Sequence, residues 1–163
     1  SGTCAIQKSM RAPSAAVRVP FLDMVDLSVR RAAQLAGHDG CVGILASPAV
    51  QKVGLFDAPL ARFEVKPLYH DDETALLTAI RLIKATGPVP EAAAALRAAS
   101  DALLQRGAQV QMIACTEFSL LADATADGVT AFDTLDVLVG AITGFATGNG
   151  TGDGTGRTAG ERK

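Results

Sequence analysis

The sequence predicts an α/β domain built on a parallel four-stranded sheet flanked by helices. Short apolar runs alternate with longer stretches in which apolar residues recur at helical spacing. The runs at residues 41–46 and 110–114 are almost wholly apolar, which is typical of central parallel strands that are covered on both faces. The order of strands and helices favours right-handed crossovers between parallel strands.

The composition is that of a globular domain with a core. Of 163 residues, 48% are hydrophobic and 20% are charged. The formal net charge of −2 gives no basic surface for nucleic acid, and no apolar run approaches the roughly 18 residues of a membrane-spanning helix. Three cysteines without a disulfide pattern and the lack of a signal-peptide pattern predict a cytoplasmic protein.

The first elements are a helix and a central strand. Residues 23–36 have apolar positions near helical spacing and end at Gly37, which predicts a helix with a glycine cap. Cys41 opens the strand at residues 41–46, far from its carboxyl end, and is expected to belong to the core. Ser47 and Pro48 predict the N-cap and first residue of the next helix.

A second strand and two helices follow. Residues 61–67 are predicted to be a strand with Phe63 and Val65 facing inward. Acidic residues at 71–73 favour the start of a helix, because its N-terminal dipole attracts negative charge. His70 is expected to be a surface or capping residue, since no second metal ligand lies at suitable spacing. Residues 90–106 predict an alanine-rich helix over the sheet.

The last third of the chain contains the first candidate catalytic residue. The strand at residues 110–114 delivers Cys115 to its carboxyl end, where open α/β sheets bind ligands. A helix start there is expected to lower the pKa of the thiol; the alternative is an ordinary buried cysteine. Residues 129–134 predict the fourth strand, 135–145 the last helix, and the Gly/Thr-rich residues 147–163 a disordered tail.

The segment Ile-Ala-Cys-Thr-Glu-Phe-Ser-Leu-Leu at residues 113–121 resembles the second-cysteine motif of the aspartate/glutamate racemase family. Glu117 matches the aspartate-racemase-like branch, whereas glutamate racemases typically carry His at that place. The resemblance extends over nearly all of the chain outside the tail. It implies that residues 1–40 are the end of a first domain and that residues 41–146 are the second, α/β domain. The chain is therefore expected to be a fragment or a trimmed gene product.

The resemblance also implies racemisation without a cofactor. One thiolate removes the Cα proton while a second thiol returns a proton from the opposite face, and the expected substrate is an acidic amino acid such as aspartate. Cys115 is the expected base on one side, and Thr116 is expected to bind the substrate carboxylate beside it.

The resemblance implies that the second base lies in the loop at residues 1–5, and the sequence permits two alignments there. Anchoring on Cys4 supplies a thiol but places Ile6 where the family has threonine. Anchoring on Thr3 keeps the threonine as a substrate-binding residue but puts Ser1, a far weaker base, at the catalytic place. The first alignment is preferred.

Two further substrate-binding residues are carried over from the family. The helix end Ile-Lys-Ala-Thr-Gly resembles a family segment whose lysine holds the anionic end of the substrate, which gives this role to Lys84. Ser47 keeps the first hydroxyl expected after the strand. Val50, Val53 and Phe56 replace an expected Thr, Ser and Tyr, so the substrate stays open.

Two other classes of function remain. A one-thiol relative resembling a malonate decarboxylase, a hydantoin racemase or a maleate isomerase would need Cys115 alone. A truncated, non-catalytic α/β remnant would need neither thiol. In each enzymatic case the expected partner is a small molecule, with neither metal nor cofactor, and a homodimer is possible.

Overall fold

The computed structural model describes residues 21–148 and confirms the α/β fold. Expectations for Ser1, Thr3, Cys4 and residues 149–163 lie outside these residues. Within them, four parallel strands form one sheet in the spatial order 66–69, 41–46, 110–114 and 130–133, with helices on both faces. No helix among residues 21–148 has the length and apolarity needed to cross a membrane.

The central strands have the predicted bounds. They are β1, Cys41–Ala46, and β3, Val110–Ala114. The outer strands are shorter: β2, Lys66–Tyr69, and β4, Thr130–Asp133. Pairing of Ala46 with Ala114 brings β1 and β3 to the same level at their carboxyl ends. We call this side of the sheet the carboxyl edge.

The second strand was predicted wrongly at residues 61–67. Residues up to Ala61 instead belong to the short helix α3, Asp57–Ala61, whose first turn carries an acidic residue and a proline. Glu64 has φ 58°, a left-handed conformation that an extended strand does not adopt. The inward position predicted for Val65 is correct, since it is 2% exposed, but the strand begins only after it.

The helices form two layers. One layer contains α1, Met24–Ala36, and α7, Thr134–Ala146. The other contains α4, Glu73–Thr86, and α5, Pro90–Gln105. The helix α2, Pro48–Lys52, follows β1, and α6, Thr116–Ser119, follows β3. A 3-10 turn at Ala122–Ala124 interrupts the loop before β4.

Carboxylate side chains cap the N-termini of three of the long helices. Asp23 accepts a hydrogen bond from the Val25 N–H, Asp72 from the Ala75 N–H and Asp133 from the Leu135 N–H. These bonds satisfy donors that the first helical turn leaves without a partner. Ser47 stands at the predicted N-cap position of α2, but its hydroxyl makes no capping bond.

The sheet separates two apolar clusters. Under α1 and α7 lie buried residues that include Val29, Ile44, Met112, Phe132 and Val137. Under α4 and α5 lie buried residues that include Leu45, Ile80, Leu96, Leu103, Ile113 and Phe118.

A buried polar network joins α5 to β3. Ser100 donates to Gln111 Oε1 at 2.6 Å, and Gln111 Nε2 donates back to the Ser100 carbonyl at 2.9 Å. The Ala126 N–H donates to the Ser100 hydroxyl at 2.8 Å, which also ties down the loop before β4. Buried polar groups are stabilising only when their hydrogen bonds are made, and these are.

Candidate functional site

The strand order has a switch point at the carboxyl edge. The chain leaves β1 towards β2 on one side and returns to β3 on the other, so the order reverses between β1 and β3. Open α/β sheets bind ligands at such a switch point. Ser47 and Cys115 directly follow the paired residues Ala46 and Ala114, so both lie at this switch point.

Cys115 lies at the N-cap position of α6 and is half-buried. Its Sγ donates a hydrogen bond to Glu117 Oε2 at 3.1 Å. Burial, and then the hydrogen bond to Glu117, raise the pKa of the Cys115 thiol to about 11. The N–H groups of Phe118 and Glu117 act in the opposite direction. The N–H groups of the helix start thus lower this pKa as expected, but burial and the carboxylate outweigh them in this four-residue helix, so the net pKa is raised.

Glu117 connects the thiol to a lysine. Its Oε2 accepts hydrogen bonds from Cys115 and, at 3.3 Å, from the Thr116 hydroxyl, while its Oε1 lies 3.2 Å from Lys84 Nζ. The hydrogen bond from Cys115, the Glu117 backbone N–H and Lys84 lower the pKa of Glu117 to about 2. Both shifts favour a protonated thiol beside an ionised carboxylate.

The structure brings together three residues that the sequence proposed for the site, Cys115, Thr116 and Lys84. Lys84 stands in the last turn of α4, and its side chain is 64% exposed, so a solute anion can reach it. The three side chains all contact Glu117. Glu117 itself was not proposed as a site residue. The only signal for it in the sequence is its place in the cysteine motif.

Ser47 lines a small pocket next to the carboxyl ends of β1 and β2. The pocket is lined by Ile44, Ala46, Ser47, Pro48, Gln51, Tyr69, His70, Glu73 and Leu76. His70 accepts a hydrogen bond from the Asp72 N–H at 3.1 Å, which agrees with the predicted capping role. Lys52 in α2 pairs with Glu73 in α4 at 3.0 Å beside this pocket.

Tyr69 in the same pocket donates a hydrogen bond to Asp57 Oδ1 at 2.7 Å. Burial, followed by this bond, raises the pKa of Tyr69. The phenol therefore stays protonated and offers the pocket a neutral side chain.

Asp133 completes the carboxyl edge at the end of β4. It is 6% exposed, and burial raises the pKa of its carboxyl group. Hydrogen bonds from Ser119 and from the Leu135 N–H act in the opposite direction. The Ser119 hydroxyl also lies 3.3 Å from the Cys115 carbonyl oxygen, so Asp133 is joined to the cysteine loop through one side chain. Sequence reasoning recognised Asp133 as a strand end but did not propose it for the site.

Cys41 lies at the opposite end of the sheet. Its Sγ donates to the Gly107 carbonyl at 3.2 Å, and the side chain packs partly against the cluster under α4 and α5. Residues 21–148 contain no group of three or more His, Cys, Asp or Glu side chains arranged to hold a metal ion. The chemistry of the described site therefore centres on one thiol, two carboxylates, an amine and hydroxyls.

Comparison with known proteins points in one direction. A model of the Asp/Glu/hydantoin racemase family matches residues 10–142. An aspartate racemase from Picrophilus torridus is similar in structure, with TM-score 0.62 and 18% identity over 80% of this chain and 54% of that one. A glutamate racemase isoform from Bacillus anthracis is similar with TM-score 0.60 and 12% identity, over 91% of this chain and 55% of that one. A search of curated proteins found no match. The chain thus spans about half the length of these solved structures.

Proposed function

Because the chain belongs to the Asp/Glu/hydantoin racemase family, we propose that it takes part in cofactor-independent amino-acid racemisation. The observation that supports this best is the Cys115 thiol at the β1–β3 switch point, in one cluster with Thr116 and Lys84. An acidic amino acid such as aspartate is the first candidate substrate. Its α-carboxylate would meet Lys84, Thr116 and Ser47.

The proposed chemistry is a proton exchange at Cα. A base on one face takes the Cα proton, and the Cys115 S–H bond breaks as a new Cα–H bond forms on the other face. Negative charge that develops on the substrate carboxylate during this exchange is stabilised by cations and hydrogen-bond donors around it. Lys84 and Thr116 are the described groups of that kind. Cys4 is the proposed opposite base, and the loop that carries it would belong to the end of a first domain at residues 1–40.

Hydrogen exchange at Cα tests this proposal directly. L-aspartate and L-glutamate are incubated with the full chain in deuterated buffer, and the Cα–H signal is followed by proton NMR. We expect loss of the signal with the wild type, retention with Cys115→Ala, and loss with the matched control Cys41→Ala, whose thiol lies at the other end of the sheet. Equal exchange in the wild type and Cys115→Ala would sink the role of Cys115. No exchange in any form would sink acidic amino acids as substrates.

A one-thiol reaction is the second candidate, and the protonated state of Cys115 favours it. A thiol that starts with its proton can protonate an enolate on one face, as a decarboxylase-like reaction requires. Cys4→Ala distinguishes the two candidates. If the D-isomer still accumulates at the wild-type rate in this variant, a second thiol at Cys4 is not required. If the variant no longer exchanges the Cα proton, the reaction requires both thiols.

A further inference from the structure

The Cys115 thiol is held by a carboxylate whose own position is fixed from three directions. Glu117 accepts hydrogen bonds from Cys115 and Thr116 through Oε2. Its Oε1 forms an ion pair with Lys84. Its side chain is 21% exposed, so little water competes for these contacts. A carboxylate can accept hydrogen bonds but has no proton to give unless it is itself protonated.

We propose that Glu117 reinforces the thiol form of Cys115 in the free protein, in addition to burial, and that Lys84 acts on the thiol through Glu117. Glu117 is then a positioning residue that fixes Cys115 as a proton donor at the start of the reaction. What this means for catalysis rests on the proposed function, but the protonation state itself can be measured without turnover.

The geometry shows whether Glu117 and Lys84 each favour or disfavour the thiolate of Cys115. A thiolate at Cys115 would lose its hydrogen bond to Glu117 Oε2 and would place two negative charges 3.1 Å apart. Lys84 partly neutralises the carboxylate, so removing Lys84 leaves Glu117 with more negative charge towards the thiol. Loss of Glu117 therefore favours the thiolate, whereas loss of Lys84 disfavours it.

Few other charged groups face this thiol in the described part of the chain. Glu117 comes from α6 and Lys84 from the end of α4. Asp133, at the end of β4, reaches the cysteine loop only through Ser119. Its carboxylate would also disfavour a thiolate, so it adds to the effect of Glu117 without replacing the hydrogen bond.

In a racemase, the two bases would then begin the reaction in different protonation states. With Cys115 carrying a proton, the opposite base removes the Cα proton and Cys115 donates its own to the other face. One proton has then entered the protein and one has left it, and the two bases have exchanged protonation states. The free enzyme therefore accepts first the enantiomer whose Cα–H bond points away from Cys115.

Alkylation of the thiols by iodoacetamide across pH 7 to 11 tests the proposal. Trypsin separates the three cysteines into peptides of residues 1–8, 32–52 and 107–157, so mass spectrometry follows Cys115 alone in the full chain. In Glu117→Gln we expect Cys115 to react about fivefold to tenfold faster at pH 8, because one pKa unit corresponds to a tenfold change in thiolate. In Lys84→Met we expect slower reaction, and in the double variant the same profile as Glu117→Gln.

Cys41 is the internal control, because it donates to a backbone carbonyl instead of a carboxylate and should react alike in all variants. Glu117→Ala repeats the test with a different side chain in case the glutamine variant loosens the fold, which a faster Cys41 would reveal. An unchanged Cys115 profile in both Glu117 variants overturns the proposal. An effect of Lys84→Met that persists without Glu117 overturns the route through Glu117. Altered alkylation without any Cα exchange would refute the proposed function alone.

Discussion

At Asp133, burial and helix capping act on the same carboxylate in opposite directions. The group is 6% exposed and caps α7 through the Leu135 N–H at 2.7 Å. Burial prevails and raises its pKa, so ionisation is less favourable in the folded chain than in the unfolded one. A raised carboxyl pKa contributes stability below the unfolded pKa of about 3.9, and this contribution is lost as pH rises through the folded pKa.

Asp133→Asn should therefore stabilise the protein at pH 7 more than at pH 4. The amide keeps an oxygen for the Leu135 N–H and removes the buried charge. Asp133→Ala loses the cap and should lower the free energy of unfolding by about 1 kcal/mol. Urea unfolding at the two pH values measures both. A loss in the asparagine variant as large as that in the alanine variant would contradict this explanation.

At the residue scale, the sequence predicted the position of Cys115 but not its raised pKa. Its place at a strand end follows from apolar patterning, which is local. Its raised pKa depends on burial and on Glu117, and the charge of Glu117 depends on Lys84, 33 positions earlier in the chain. Such a contact arises from packing of α4 against α6, which no local pattern records.

At the element scale, β1 lies unusually close to α5 and β3. A Cβ on Gly43 would approach Ala108 Cβ and Gln111 Cγ to 3.1 Å and Leu103 Cδ1 to 3.2 Å. The central strand can therefore have no side chain at this position without displacing its neighbours. Gly140, on α7, is the opposite case, because a Cβ there meets nothing within 4 Å.

Gly43→Ala and Gly140→Ala should change stability in opposite directions. We expect Gly43→Ala to lower the free energy of unfolding by about 1 to 3 kcal/mol through overpacking. Gly140→Ala should raise it by up to about 1 kcal/mol, because alanine is the better helix former. Denaturant unfolding of the two variants measures the difference. Equal effects would mean that the close approach at Gly43 relaxes without cost.

The elements show where sequence patterns fail. β1 and β3 are continuous apolar runs with clear ends, and their bounds were predicted correctly. The segment before β2 instead alternates apolar and charged residues, yet a helix that contains Asp57 and Pro59 leads into it, and the left-handed Glu64 turns the chain. A short alternating run does not distinguish a strand from the connection that leads into it.

On the scale of the whole molecule, the two helical layers differ in their outer surfaces. Large apolar side chains are exposed along one side of α7, at i, i+4, i+7 and i+10. They are Leu135, Val139, Ile142 and Phe145. The only charged residue of this helix is Asp136. An exposed apolar stripe of this kind promotes association.

Val139→Lys combined with Ile142→Lys should reduce association of the chain as its concentration rises. Val53→Lys is the matched control, since Val53 is 67% exposed but lies after α2, away from the stripe. Sedimentation velocity over a concentration series measures the effect. Identical behaviour of the stripe variant and the wild type would show that this surface does not mediate association.

The outer strand β2 affects whether strands from other molecules can add to the sheet. It has only four residues, its first is the exposed Lys66, and its second is Pro67, which has no N–H to donate. Along this edge, β2 offers few hydrogen-bond partners to a strand from another molecule, and Lys66 adds a positive charge. β2 thus protects its own edge of the sheet against the edge-to-edge strand pairing that begins amyloid-like polymerisation.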